Sequence, residues 1–206
     1  MGKRPLSMWA RRWFPSIGER ESFTRCFKIM ERKLIQAQVE TYYLEVLQQN
    51  ADAVRLYQKH GFAVEREYAV LRSGERPAQN SPFQGEACDF SQFDFSKVSN
   101  CVVVKPCFEH STGVLQKKPC LYGVRYRKRQ GNVFAFCVYA KENGAFLQLG
   151  YEDLSELKLV LQSMVSTYSN ISVKNIDTAY PQVLELLHSL QFKEVTRQFE
   201  MSKKLS

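Results

Sequence analysis

The sequence predicts an α/β protein, more closely α+β, in which a mixed central sheet is flanked by helices. Three stretches carry that expectation. Residues 42–62, YYLEVLQQNADAVRLYQKHGF, read as a strand, a polar junction and a short helix that stops at Gly61. Residues 121–149 alternate apolar runs with turn residues in the manner of a β-meander. Residues 171–192 then repeat the order of the first stretch, with Ile171–Asn175 as the strand, Val183–Leu190 as the helix and Gln191-Phe192 in place of Gly61-Phe62.

The chain has 206 residues, 44% of them hydrophobic and 13% aromatic, which is enough for a core. No apolar run approaches bilayer length and no secretory core follows Met1, so no membrane partner and a cytoplasmic location are expected. The six cysteines form no CxxC pair and have no histidine at metal-ligand spacing. Reduced thiols are therefore expected in preference to a zinc site or a disulfide frame. The formal charge of +8 comes largely from two clusters, one in the first forty residues and one over Lys117, Lys118, Arg125, Arg127, Lys128 and Arg129. Neither forms a recognised nucleic-acid motif, and nucleic acid is not expected as a partner. Trp9 and Trp13 among arginines raise a nucleic-acid arm, and the acid-free start an organellar presequence, as the weaker readings.

Taken in order, residues 1–22 show neither strand alternation nor turn chemistry, and no element is expected there. A helical stripe follows through Phe23, Phe27, Met30 and Leu34, ending near Gln38. The strand from Tyr42 to Leu47 leads to Asn50, a good N-cap, and to a helix whose apolar positions are Ala53, Val54, Leu56 and Tyr57. Gly61 supplies a left-handed C-terminal cap before a strand from Phe62 to Leu71. Residues 72–90 are rich in breakers and read as a linker. Cys101–Lys105 is a short strand, and the meander comprises Leu121–Arg127, Val133–Ala140 and Ala145–Leu149. Its first turn carries the second basic cluster, read as a solvated face rather than a phosphate site. A helix over Leu154–Val165 and a closing strand over Glu194–Met201 complete the order.

In sequence and spacing, Leu44-Glu45-Val46, Asn50, Ala53, Leu56-Tyr57, Lys59 and Gly61-Phe62 resemble the acyl-CoA-binding C-terminal half of the GNAT N-acetyltransferases. The resemblance implies a partial GNAT fold followed by a second, degenerate GNAT-like domain. It implies acetyl-CoA as co-substrate and direct attack of an amine, from a small molecule or a peptide, on the thioester. Carried over by position, Leu44, Glu45 and Val46 form one wall of the cofactor cleft, Asn50 and Ala53 contact the cofactor, and Tyr57 protonates the CoA sulfur as the catalytic acid. Tyr57 lies two turns beyond Asn50, so both can address one ligand. Each also has a plain structural reading, Asn50 as a helix cap and Tyr57 as a core aromatic.

The chain departs from the family where the pyrophosphate loop, of pattern Q/R-x-x-G-x-G/A, belongs. Ser16-Ile17-Gly18-Glu19-Arg20-Glu21 has one glycine, and its two glutamates repel phosphate. Back-translation of residues 8–33, read from the third base of each codon, spells with permitted synonymous codons a strand, an R-G-K-G loop and an amphipathic helix. Met8-Trp9 and Trp13-Phe14 force valines and Trp9-Ala10 a glycine, while synonymous freedom is the competing explanation for the rest. The resulting expectation is a frameshift near Arg32–Leu34. Residues 1–32 are then an out-of-frame or irregular segment, 33–71 the C-terminal part of an acetyltransferase domain, 72–90 a linker and 91–206 the degenerate domain.

In that second copy Glu152 and Asp153 open the helix where the family has glycines, and Leu187 stands where a tyrosine is expected. It is expected not to bind CoA. Cys107 with His110 is a chance pair on spacing, and His60 and His188 are expected to be solvent-facing and half-buried respectively. The function expected is an impaired N-acetyltransferase. The alternative is a catalytically inactive remnant or binding module on the same fold.

Overall fold

A computed structural model describes residues 6–8, 17–74, 85–98 and 100–205. Trp9, Trp13 and the centre of the expected linker lie outside the described residues. Those described fall into two compact units, one within Met1–Glu67 and Gln198–Ser206, the other within Tyr68–Arg197.

In the first unit, β1 (Leu6–Met8) is followed by α1 (Ile17–Gln36), β2 (Thr41–Leu47), α2 (Ala51–Lys59) and the start of β3 (Ala63–Arg72). β1 lies in a segment from which no strand was expected. It pairs in parallel with β2, from Leu6↔Tyr42 to Met8↔Leu44, so backbone pairing rather than side-chain alternation makes this strand. α1 likewise begins well before Phe23 and runs through the expected frame junction. Tyr42, Leu44 and Val46 alternate into a core with Phe27 and Leu34 of α1, Tyr57 of α2, and Phe62. That stripe at helical spacing is why α1 packs here.

The partner of β2 on its other side is not β3. It is the C-terminal part of β10 (Lys193–Lys204), antiparallel from Gln198↔Leu47 to Lys204↔Thr41, with β3 beyond it. Met201 enters the core beside Leu44, and Lys203 pairs with Glu31 of α1 and lies 5.8 Å from the Phe27 ring centroid.

The second unit holds the rest of β3, then β4 (Glu86–Asp89), β5 (Val102–Val103), α3 (Thr112–Leu115), β6 (Tyr122–Arg129), β7 (Asn132–Ala140), β8 (Phe146–Tyr151), α4 (Leu154–Thr167), β9 (Ser172–Asp177), α5 (Pro181–Ser189) and the start of β10. Its strand order is β3-β9-β8-β7-β6-β4, with β5 on β8. The segment 72–90, expected as a linker, thus carries structure at both ends. Arg72 closes β3, and β4 pairs antiparallel with β6 from Glu86↔Tyr126 to Asp89↔Gly123.

The meander forms where expected. Gln130 and Gly131 both have positive φ, 51° and 85°, the geometry of a two-residue hairpin loop that matches strand twist. β7 is buried on both faces. Ala135, Cys137 and Tyr139 pack with α4 and α5, while Phe136 and Val138 pack with Phe90, Phe93 and Leu115.

Here too the strand after the helix is not the neighbour of the strand before it. β9 pairs antiparallel with β3, from Tyr68↔Asp177 to Arg72↔Ser172. Each strand-helix-strand run thus lends its last strand to the neighbouring position of the other sheet segment, a reciprocal exchange that local sequence does not encode.

Candidate active site

The first strand-helix run places the expected residues as follows. Leu44 and Val46 turn their side chains into the core, and half-buried Glu45 lies on the opposite face of β2, directly across from Glu200 of β10. Asn50 caps α2: its Oδ1 accepts a hydrogen bond from the Ala53 amide at 3.2 Å. Ala53 packs against the core, and Tyr57, 8% exposed, lies within it, its ring edge-on to Phe62 at 5.9 Å. The plain reading of each side chain is therefore realised, and it is compatible with a role in binding.

Burial raises the pKa of Tyr57 above its ordinary value, so the phenol keeps its proton through neutral pH. Nearby Tyr42 is pushed up to about 12, by burial first and by Tyr57 second, and its hydroxyl points to Met30 Sδ at 3.6 Å.

Two features of this region are not apparent from sequence. The first is Arg66, whose guanidinium clamps Glu200 through Nε to Oε2 at 2.8 Å and Nη2 to Oε1 at 3.0 Å. It counters the charge that Glu200 brings opposite Glu45. The second is a pair of buried amides, Gln48 Nε2 and Gln198 Oε1, neither of which has a hydrogen-bond partner. Gln198 faces Leu47 across the β2/β10 pairing, so both lie near the C-terminal end of β2. Buried amide atoms without partners cost free energy, and such atoms mark places where a ligand can supply the bond. The sequence signal for Gln48 was the polar run Gln48-Gln49-Asn50 after an apolar strand, and Gln198 had none.

The second run repeats the local geometry without the chemistry. α2 and α5 are both nine residues long, and Tyr57 and Leu187 hold the seventh position of each. The Phe62 amide donates to the Tyr57 carbonyl at 3.1 Å, and the Phe192 amide to that of Leu187 at 3.0 Å. Gly61 and Gln191 both take positive φ, 86° and 63°, although glutamine pays a steric penalty there that glycine does not.

Asn175, expected to match Asn50, instead lies within β9 at φ 61°. The residue capping α5 is Tyr180, and Pro181 opens the helix, because the extra residues of this copy extend the strand and its turn. At α4, Asp153 is the cap, accepting from the Ser155 amide at 2.7 Å. That hydrogen bond lowers its pKa, placing a carboxylate at the positive helix end.

The basic cluster divides: Lys117, Lys118, Lys128 and Arg129 are exposed, as a solvated face would be, whereas Arg125 and Arg127 are half-buried. Arg125 donates to the Ser163 carbonyl at 2.8 Å, Arg127 is ion-paired with Glu156, Lys128 with Glu86 at 2.9 Å, and Arg129 lies over the Phe134 ring. No helix among the described residues is long and apolar enough to cross a membrane.

No protein-family model matches the sequence, and no curated protein is detectably similar to it. Solved structures do match. A GCN5-related N-acetyltransferase of Sphaerobacter thermophilus aligns with 93% of this chain and 70% of its own length, at TM-score 0.62 and 14% identity. A Pyrococcus horikoshii protein provisionally described as an acetyltransferase aligns with 96% of this chain at TM-score 0.56 and 18% identity, and the present chain spans 62% of that protein's length. A tandem GNAT protein from the clavulanic acid biosynthesis pathway aligns with 89% of this chain and 70% of its own length, at TM-score 0.50 and 8% identity. The mixed sheet with flanking helices is thus the fold of the GCN5-related N-acetyltransferases.

Proposed function

We propose that the chain is an acetyl-CoA-dependent N-acetyltransferase of the cytoplasm, acting on an amine of a small molecule or peptide, with its donor site in the first unit. One conjunction carries this reading. β2, in parallel pairing with β1, delivers the chain into α2, with Asn50 at the cap and a buried, protonated Tyr57 two turns on.

When bound, acetyl-CoA supplies a thioester carbon open to attack by an amine. Leu44, Glu45 and Val46 form one wall of the cleft that orients it, with Asn50 and Ala53 at the start of α2. The partnerless amides of Gln48 and Gln198, one a donor and one an acceptor, fit a ligand arm that itself carries amides. Tyr57 holds a proton at its hydroxyl for the departing sulfur.

Turnover is expected to be slow because the translated chain has no glycine loop to grip a pyrophosphate. We attribute that loss to the frameshift near Arg32–Leu34, and we read residues 91–206 as a degenerate second copy. Sequencing the coding DNA tests the frameshift: upstream codons that cannot spell the R-G-K-G loop would rule it out.

Calorimetry with acetyl-CoA, paired with a turnover assay on a panel of amines, tests the activity. Tyr57→Phe should retain binding and lower turnover by about ten- to a hundredfold. Asn50→Ala should weaken binding, and its thermal midpoint separates that loss from the cost of the missing cap, about 1 kcal/mol. Absence of acetyl-CoA binding by the native chain would leave the inactive-remnant reading. Salt-sensitive binding to nucleic acid would favour a binding module.

A further inference from the structure

The two edges of β8 are used differently. One pairs with β7 from Phe146 to Tyr151. The other pairs in parallel with β9 at Phe146↔Val173 alone. Just past that point both strands bulge. β8 takes two steps, Phe146 to Gln148, where β7 takes one, and β9 takes three, Val173 to Ile176, where β3 takes two. Asn175, at φ 61°, lies in the second bulge. A bulge bends its strand and interrupts pairing, so the parallel strands part. The backbone groups of Leu149–Tyr151 on the parted edge then need partners from elsewhere.

Those partners come from the same chain. β5 lies antiparallel on β8 through Val102↔Tyr151 and Val103↔Gly150, and the Val104 amide donates to the Leu149 carbonyl at 2.9 Å. The Tyr180 hydroxyl, at the cap of α5, reaches the Val103 carbonyl at 3.5 Å. Further along, Gln148, 4% exposed, donates through Nε2 to the His110 carbonyl at 2.5 Å and to Thr112 Oγ1 at 3.3 Å. Val104 and Cys107 are buried, at 3% and 0% exposure.

We propose that residues 102–110 are a built-in occupant of the gap between β8 and β9, closing the second unit's cleft to any extended ligand. A donor site of this chain then lies in the first unit alone. Main-chain recognition of a ligand lying along a strand edge requires that edge to be open. In β8 the hydrogen bonds such a ligand needs are already made. The identity of the excluded ligand as acetyl-CoA rests on the proposed function, whereas the occupancy of the gap does not.

Cys107 is buried with this segment, Cys137 lies in the sheet core and Cys120 is exposed, so one alkylation experiment reads all three. In the native chain, iodoacetamide should modify Cys107 as slowly as Cys137 and at least about a hundredfold more slowly than Cys120. Saturating acetyl-CoA should leave those rates unchanged. Val104→Pro, which removes the amide bonded to Leu149, should speed Cys107 and leave Cys137 slow.

Fast labelling of native Cys107, acceleration by acetyl-CoA, or a Val104→Pro chain in which Cys107 stays as slow as Cys137 would each overturn the proposal. Should the variant expose both thiols, amide exchange at Val104 in the native chain decides. Protection like that of the β7 core amides upholds the proposal, and exchange at the rate of an exposed loop overturns it. If acetyl-CoA binds nowhere, the proposed function fails while the labelling of the native chain still tests the plug.

Discussion

His110 is enclosed where the segment between β5 and α3 meets β8, and burial, with Lys174 adding to it, lowers its pKa to about 4. A base whose folded pKa is depressed stabilises the fold fully above its unfolded value, near 6.5, and loses that contribution as pH falls toward 4. The drop corresponds to about 3 kcal/mol. Urea midpoints at pH 7 and pH 4.5 should show the loss, and His110→Asn should flatten it. Tyr42 and Tyr57 act at the other extreme. Burial raises both, so their contribution to the first unit is full below pH 10 and is lost as pH rises, for Tyr42 toward its value of about 12, as amide exchange in β2 would report. Arg66 and Glu200 form a third kind of site, a doubly bonded pair with side chains 14% and 6% exposed. Arg66→Ala leaves a buried carboxylate without its cation and should cost roughly 3 kcal/mol by chemical denaturation. Exchanging both for apolar residues should cost less.

Among the elements, the β7/β8 pair is packed to its limit. A Cβ placed on Gly150 would come within 2.1 Å of Cε1 of Phe136, a ring with no exposed surface and little freedom to yield. Gly150→Ala should therefore destabilise the second unit by about 1–3 kcal/mol, read from its denaturation midpoint. The elements legible in the sequence are those whose information is local. Asn50, the Ala53–Tyr57 stripe and Gly61 mark the two ends and one face of α2 within a dozen residues, and Gln130-Gly131 marks its hairpin. β1 was not legible because three residues give no periodicity, and β4 because its pairing with β6 bridges a long separation. The same limit applies to the candidate site. Asn50 and Tyr57 stand out through the family resemblance, their own spacing giving only a helix cap and a core aromatic, whereas Arg66, Glu200 and the Gln48 and Gln198 amides meet only through the late strand β10.

For the whole molecule, the exchange of β3 and β10 decides what can be removed. Ending the chain at Arg197 would delete the strand that pairs with β2 over seven residue positions and supplies Met201 to the first core. The first unit should then lose exchange protection in β2, while the β6–β8 meander, whose strands pair with none of the deleted residues, keeps its own. That pattern is checked by fragment-resolved hydrogen exchange. An ordinary N-terminal domain with its own last strand would show no such loss.

The order of synthesis gives the same exchange a second meaning. Segments leave the ribosome from the N-terminus onward, and domains tend to fold as their residues emerge. In this chain α1, β2 and α2 are made well before β10, the strand that completes their sheet. The first unit therefore cannot finish folding until β10 has emerged, and until then that edge of β2 is open to chaperones or to other nascent chains.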